Sequence, residues 1–416
     1  MHIKRRAQYF SQIQKNSISF FFSGRAPQKA GDQNYPFSVN RNFFYLTGIH
    51  QENVVLMLIK GEKENAAYLF IDKIDPVKSL WDGAGLTFEE AADIAQMEMK
   101  DIKDIEVMKT TLAQLLTTSR KAIFGPLETA YLDLERQNAL ALKTDGEHFA
   151  LYVKDLYPFL QIRSSQVVLA EMRMVKDDFE ISQIEKAMFI TNHALSHVMK
   201  TLRPSKFEYE MEAEYNYILN KHRVTPSFDT IAASGKNATT LHYITNDSKM
   251  EDHTLILFDL GVNYDYYCSD ITRVYPVNGK FSPRQKEIYE VVLDVNKKAI
   301  EWLKPGKTIK EFNEYGKALL TEGAKKLGLI KEDHEIDRYY YHSLGHYLGL
   351  EVHDAGNYSL PIPEGAVITV EPGLYVAEEA IGIRIEDDVI VGKNKNINLS
   401  KHILKEIADI EDFMKI

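Results

Sequence analysis

Four carboxylates and one imidazole, each set in or beside an apolar run, constrain this chain more than any other feature. Asp259 closes Leu255-Ile256-Leu257-Phe258, and Asp270 opens Ile271-Thr272-Arg273-Val274. Glu371 follows Val367-Ile368-Thr369-Val370, and Glu386 ends Ile383-Arg384-Ile385. His346 comes between the two pairs, inside His342-Ser343-Leu344-Gly345-His346-Tyr347-Leu348-Gly349. A carboxylate at a buried strand end is costly unless a cation or a donor compensates it. One such residue is ordinarily a solvated strand end. Four of them with a histidine between predict a dinuclear metal centre.

The spacing points the same way. Asp259 and Asp270 are eleven positions apart, Glu371 and Glu386 fifteen. Both separations are odd, which predicts that each pair lies directly opposite across an antiparallel hairpin and on one face. Like charges facing each other destabilise a ladder, and two divalent ions between them remove the repulsion. The donor set is hard and oxygen-rich with no thiolate, which favours manganese, with cobalt, iron or zinc as alternatives, over a structural zinc site.

A chain of 416 residues has room for two or three domains. Its net charge of −10 argues against nucleic acid or an anionic lipid surface as a partner. The single cysteine, Cys268, excludes an intramolecular disulfide and a cysteine-based zinc site. After Lys4-Arg5-Arg6, the stretch from Ala7 to Ser19 is too polar for a signal-peptide core, and Phe20-Phe21-Phe22 is too short for one. No apolar run approaches the ~20 residues that span a bilayer. The expectation is a cytoplasmic protein with no membrane partner.

The first part of the chain alternates strand-like and helix-like runs. Val54–Ile59 and Ala67–Ile71 predict buried strands; Glu89–Met99 and Asp133–Leu142 predict helices. From Asp177 an amphipathic helix runs through Phe179, Ile184, Ala187, Ile190 and His193, with acidic residues at its start to suit the helix dipole. The domain boundary is expected near residue 167, giving domains 1–167 and 168–416. The second half contains a repeat. Leu202-Arg-Pro-Ser-Lys206 precedes a helical pattern over Glu208–Leu219, and Leu303-Lys-Pro-Gly-Lys307 precedes one over Ile309–Leu320. Each copy then leads to a pair of acidic strand ends, which predicts a pseudo-twofold domain with the metals near its axis.

Other chemistries find no support. Gly306-Lys307-Thr308 resembles the end of a phosphate loop, but Glu301 stands where its first glycine belongs. No Gly-x-Gly-x-x-Gly or Gly-x-Ser-x-Gly occurs. His342 and His346 have the four-residue spacing of a helical zinc-protease motif, but Ser343 replaces its glutamate.

The segment His342-Ser-Leu-Gly-His346-Tyr-Leu-Gly-Leu-Glu-Val-His353-Asp resembles the signature of the pita-bread metallopeptidases, in their proline-peptidase branch. Asp259-Leu-Gly, Asp270-Ile-Thr-Arg273, Glu371-Pro-Gly-Leu-Tyr375 and Gly382-Ile-Arg384-Ile-Glu386-Asp387 are similar to that family's remaining ligand segments. Tyr35-Pro36-Phe37, Phe44-Tyr45-Leu46-Thr47-Gly48 and Leu80-Trp81-Asp82-Gly83 resemble the N-terminal domain of the aminopeptidase P branch. Ser343 and Val274 depart from the family's usual glycine and threonine, and both leave the ligand positions intact.

The resemblance implies an α+β chain: a smaller N-terminal α/β domain, serving substrate access and oligomerisation, before a pita-bread catalytic domain. It implies Asp259, Asp270, His346, Glu371 and Glu386 as ligands of two divalent ions, with Asp270 and Glu386 bridging and a hydroxide held between the ions. Glu371 is implied as general base, His353 and His242 as hydrogen-bonders of substrate and tetrahedral intermediate, and His342 with Val352 as the lining of the proline side. Arg384 is expected to pair with a substrate carboxylate. Trp81 is expected at the lip of a glycine-containing loop, either half-buried on its own domain or covering the proline end of a site, by the resemblance a neighbouring subunit's. That last implication carries a homodimer or homotetramer with it. The implied activity is hydrolysis of the bond between an N-terminal residue and a following proline. A prolidase confined to Xaa-Pro dipeptides is the alternative, and a catalytically silent peptide-binding module the third reading.

Overall fold

The computed structural model describes residues 1–117, 123–136 and 138–415. They divide into two compact units, Met1–Met172 and Arg173–Ile416. The division falls inside the helix Gln166–Met174, a few residues after the expected position.

The first unit is built on a six-stranded mixed sheet. Its order is Ile102–Asp104, Asn65–Ile71, Val55–Lys60, Ser17–Phe22, Thr129–Leu132, Gln161–Ser164. The run Phe20-Phe21 lies in a central strand, fully buried, and so serves the core. Val55 to Ile59 are likewise buried without alternation, as in a strand covered on both faces. The helix expected over Asp133–Leu142 is absent from the described residues there; Gln137 lies outside them. A helix instead begins at Asp145, where Thr144 and Glu147 close a reciprocal capping box. Leu140 and Leu142 are left in solvent. A local cap outweighed a weak apolar period.

The second unit carries the repeat. The helices Asp178–Thr201 and Glu208–Lys221 form the first pair, Pro283–Trp302 and Ile309–Lys326 the second. Asp177 caps the first helix by accepting from Glu180 N–H. After the first pair, Ile231–Ser234, Leu255–Leu260 and Ile271–Pro276 form a three-stranded antiparallel sheet. After the second, Val367–Val370 pairs with Asp387–Ile390, and Gly373–Val376 pairs with Ile381–Arg384.

The registers refine the expected pairings. Asp259 faces Thr272, not Asp270. The pairing runs on through Asn263 with Cys268 and Tyr264 with Tyr267, to a turn at Asp265 and Tyr266, with φ of 51° and 68°. Two positive φ angles make a tight type I′ connection, and neither residue is the glycine that ordinarily announces one. Asp259 and Asp270 are therefore diagonal neighbours. Glu371 and Glu386 do lie in register, bracketed by Val370 with Asp387 and Gly373 with Arg384. Between them the ladder opens. Glu371 N–H bonds to Leu344 O (2.9 Å), Glu386 N–H to Thr272 O (3.1 Å), and Asn296 Nδ2 donates to Val370 O (3.0 Å) and Ile385 O (3.2 Å).

Candidate metal centre

His346 is brought to these strands by the loop that carries it. His346 N–H donates to Thr369 Oγ1 (3.0 Å), and Thr369 N–H returns a bond to His346 O (3.0 Å). Gly345 permits this approach, since a Cβ there would run into the Thr369 carbonyl. The imidazole Nδ1–H donates to Tyr347 O (3.0 Å), which turns Nε2 toward Asp270 Oδ2 (3.4 Å) and Glu371 Oε1 (3.5 Å). A backbone acceptor on one ring nitrogen is how proteins present the other to a metal. Asp270, His346 and Glu386 offer ligand atoms within 4.8 Å of one another, all buried. Thr272 Oγ1 donates to Glu386 Oε2 (2.7 Å), and Asp388 Oδ2 accepts from Asp270 N–H (3.1 Å).

The electrostatics show what such a place can hold. Burial raises the pKa of Glu371 to about 7, with Asp270 and Asp259 adding to the shift against His346 and Arg384. Burial raises Asp270 and pushes Glu386 well up, the latter reinforced by Asp270, Glu371 and Asp259. Burial opposes charge on His346, but Asp270 and Glu371 outweigh it and hold the imidazole up at about 9. Asp259 Oδ1 is buried with no hydrogen-bond partner among the described residues. Crowded carboxylates, an orphaned carboxylate oxygen and an aimed imidazole fit divalent cations of hard character.

Around this core lie groups that the motifs alone did not single out. Tyr375, fully buried, receives a bond from Arg384 Nη1 (2.8 Å) and meets His342 Nε2 (2.8 Å). It lies four positions after Glu371, and strand alternation would have placed both on one face. Thr272 and Thr369 orient Glu386 and His346, as described above. Arg384 is buried and spends its guanidinium inside the protein, with Nε on Thr272 Oγ1 (3.0 Å), Nη1 on Tyr375 and Nη2 on Asp259 Oδ2 (2.5 Å). Its partner is a ligand candidate, where the sequence predicted a substrate carboxylate. A strand position between two buried faces leaves it no path to solvent.

The three other histidines share one neighbourhood. His342 Nδ1 is 3.6 Å from Glu371 Oε2, and burial together with Arg384 lowers its pKa to about 3. His353 stacks edge-on against His346 with ring centroids 4.3 Å apart. Burial, His346 and His242 lower the pKa of His353. His242 is exposed on its loop and acts electrostatically on both His342 and His353. Val352, beside His353, is half-buried. Trp81 belongs to the first unit. It stands near the end of the short helix Pro76–Asp82, just before the stretch that begins at Gly83, with 84% of its surface exposed, so it is not half-buried on its own domain.

Residues 182–393 match metallopeptidase family M24, and residues 2–124 match the aminopeptidase P N-terminal domain. The Xaa-Pro aminopeptidase of Haemophilus influenzae is 37% identical over 99% of this chain and 96% of its own length. A solved Bacillus anthracis structure superposes with a TM-score of 0.95 at 40% identity, covering 99% of this chain and 97% of that one. Escherichia coli aminopeptidase P with the inhibitor Pro-Leu superposes with a TM-score of 0.88 at 32% identity, over 99% and 97% of the two chains. The α+β architecture is thus an aminopeptidase P N-terminal domain followed by a pita-bread catalytic domain. The chain belongs to metallopeptidase family M24, in its aminopeptidase P branch.

Proposed function

We propose that this chain is a metal-dependent Xaa-Pro aminopeptidase, releasing the N-terminal residue of a peptide whose second residue is proline. The observation that carries the proposal is the convergence of buried Asp270, His346 and Glu386 beside Glu371, in a chain similar over its length to Xaa-Pro aminopeptidases. Asp259, Asp270, His346, Glu371 and Glu386 would hold two divalent ions, with manganese favoured by the hard donor set. Bound there, the ions supply an activated water and a polarised carbonyl.

The chain's own groups do the rest. Glu371 takes a proton from the attacking water as the oxygen–carbon bond forms, and delivers it to the proline nitrogen as the carbon–nitrogen bond breaks. Its in-register place opposite Glu386, beside Asp270 and His346, supports that role. His353 and His242 donate hydrogen bonds to the substrate carbonyl region as charge develops there, and neighbouring His346 and Arg384 favour that charge. His342 and half-buried Val352 line the proline side. Proline's nitrogen has no hydrogen to grip, so recognition rests on an apolar shelf for the ring and a proton aimed at the imide nitrogen.

Helix Pro76–Asp82 presents Val77, Leu80 and Trp81 on one side, 65%, 85% and 84% exposed. Apolar surface of this kind supports a homo-oligomer in which Trp81 covers the proline end of a neighbouring site. No helix among the described residues is long and apolar enough to cross a membrane; a chain with a single cysteine can form no intramolecular disulfide, which supports a reducing, cytoplasmic setting. The deciding experiment gives Mn2+-loaded protein an Xaa-Pro dipeptide and an Xaa-Pro-Yaa tripeptide. Cleavage of the tripeptide before proline is expected. Cleavage of the dipeptide alone makes the chain a prolidase.

A further inference from the structure

Glu208 opens the second helix of the first repeat and is fully buried, yet its carboxylate meets no cation among its five hydrogen-bond donors. Oε1 accepts from Ser234 N–H (2.6 Å), Ser234 Oγ (2.7 Å) and Asn237 Nδ2 (3.0 Å). Oε2 accepts from Tyr243 OH (2.8 Å) and Ser248 N–H (2.9 Å). One oxygen thus holds the start of the loop 235–248 and the other holds its end. Glu208 N–H also bonds to Ser248 O (3.0 Å). The loop so clasped carries His242, next to the bound Tyr243.

The repeat supplies a control inside the same chain. Pro204 corresponds to Pro305, Lys206 to Lys307, and Glu210 to Glu311. Each glutamate of that last pair caps its own helix by accepting from the backbone N–H three residues earlier, Phe207 or Thr308. At the position matching Glu208 stands Ile309, also buried and fully apolar. The helix pair therefore packs with a hydrocarbon at this place. The carboxylate is thus not required by the helix pair itself; in this copy its partners are Ser234 and the loop that bears His242. Burying it is costly in itself, and five donors, two from Ser234 just before the loop and three from within it, make that loop's conformation the gain.

We infer that Glu208 is a positioning residue for His242, setting the imidazole against His342 and His353 by fixing both ends of its loop. The inference rests on the reading of His242 as a substrate hydrogen-bonder. Glu208→Gln keeps the shape but turns a donor toward donors. A double-mutant cycle with His242→Ala, on Mn2+-loaded full-length protein and an Xaa-Pro-Yaa tripeptide, separates the two ideas. Glu208→Gln should lower kcat/KM roughly tenfold to a hundredfold in the parent, and less than about twofold further in the His242→Ala background. Bound metal should be unchanged in both. If Glu208→Gln does not fold, Tyr243→Phe, which removes one donor to Oε2, enters the same cycle and should show the same non-additivity. Equal losses in both backgrounds overturn the inference and leave His242 standing. A silent His242→Ala overturns the reading of His242 and the inference with it.

Discussion

Arg384→Lys isolates what the guanidinium fork contributes beyond its charge. Arg384 reaches three groups on three strand segments, Thr272, Tyr375 and Asp259, at 3.0, 2.8 and 2.5 Å. A lysine ammonium keeps the charge but is a single point on a flexible stem, and it can retain one of these partners well. Hydrogen bonds to charged groups contribute ~1.5–3 kcal/mol each, and relaxation recovers part of two lost bonds, so the net loss should be about 3 kcal/mol. Asp259 and Tyr375 would then hold their positions less firmly, and kcat/KM should fall ~100-fold for that free energy. Arg384→Met removes the charge as well and leaves Asp259 uncompensated, which costs ~3–5 kcal/mol for a broken buried pair. Its metal-free form should melt well below that of Arg384→Lys, and Mn2+ should recover much of the difference. The assays are steady-state kinetics on an Xaa-Pro-Yaa peptide, elemental analysis for bound metal, and melting with and without Mn2+. Arg384→Lys with kcat/KM within about threefold of the parent would falsify the reasoning, because charge alone would then suffice.

Three further outcomes are expected. Chelation should abolish hydrolysis and Mn2+ restore it, while Glu371→Gln should cost ~10³-fold or more in kcat with the fold intact; near-parental turnover would reject Glu371 as the base. His2 is buried against Tyr45 O (3.1 Å), and burial, with the positive charge of Arg5 and Arg6, lowers its pKa to about 4. Its unfolded pKa is near 6.5, so the unfolded chain binds the extra proton between these values; stability of the first unit should fall by ~3 kcal/mol as pH drops from about 6.5 to 4. His2→Gln should flatten that slope in pH-dependent melting, and an unchanged slope would count against the assignment. Trp81→Ala should raise KM for longer Xaa-Pro peptides without changing metal content. Mixed with Glu371→Gln chains, it should regain efficient cleavage if the indole serves a neighbouring subunit; hetero-oligomers that regain none would refute the shared site.

Much of this protein is determined by local chemistry that a linear sequence displays. Carboxylates at the ends of Leu255–Phe258 and Val367–Val370, and the repeated proline turn before a helix, depend on short-range pattern, and the candidate metal centre was legible from them. Parity placed each acidic pair on one face for the same reason, because a strand's alternation is a property of every residue in it. The register itself was not legible. It was set by a turn at Asp265 and Tyr266 with no glycine to mark it, and by a ladder that opens at Glu371 and Glu386 so that Leu344, Thr272 and Asn296 complete it. Those partners are distant in sequence. The same holds for Arg384, whose motif suggested a free cation, whereas burial between Thr272, Tyr375 and Asp259 commits it to the protein interior. It holds for Glu208, which resembles an ordinary acidic residue at a helix start until the loop 235–248 folds back onto it. Sequence determines which groups a chain owns and which way each points along its own strand or helix. Only tertiary packing decides which distant donor meets which buried charge, since that pairing depends on chain closure over long separations and on water being excluded from the place where they meet.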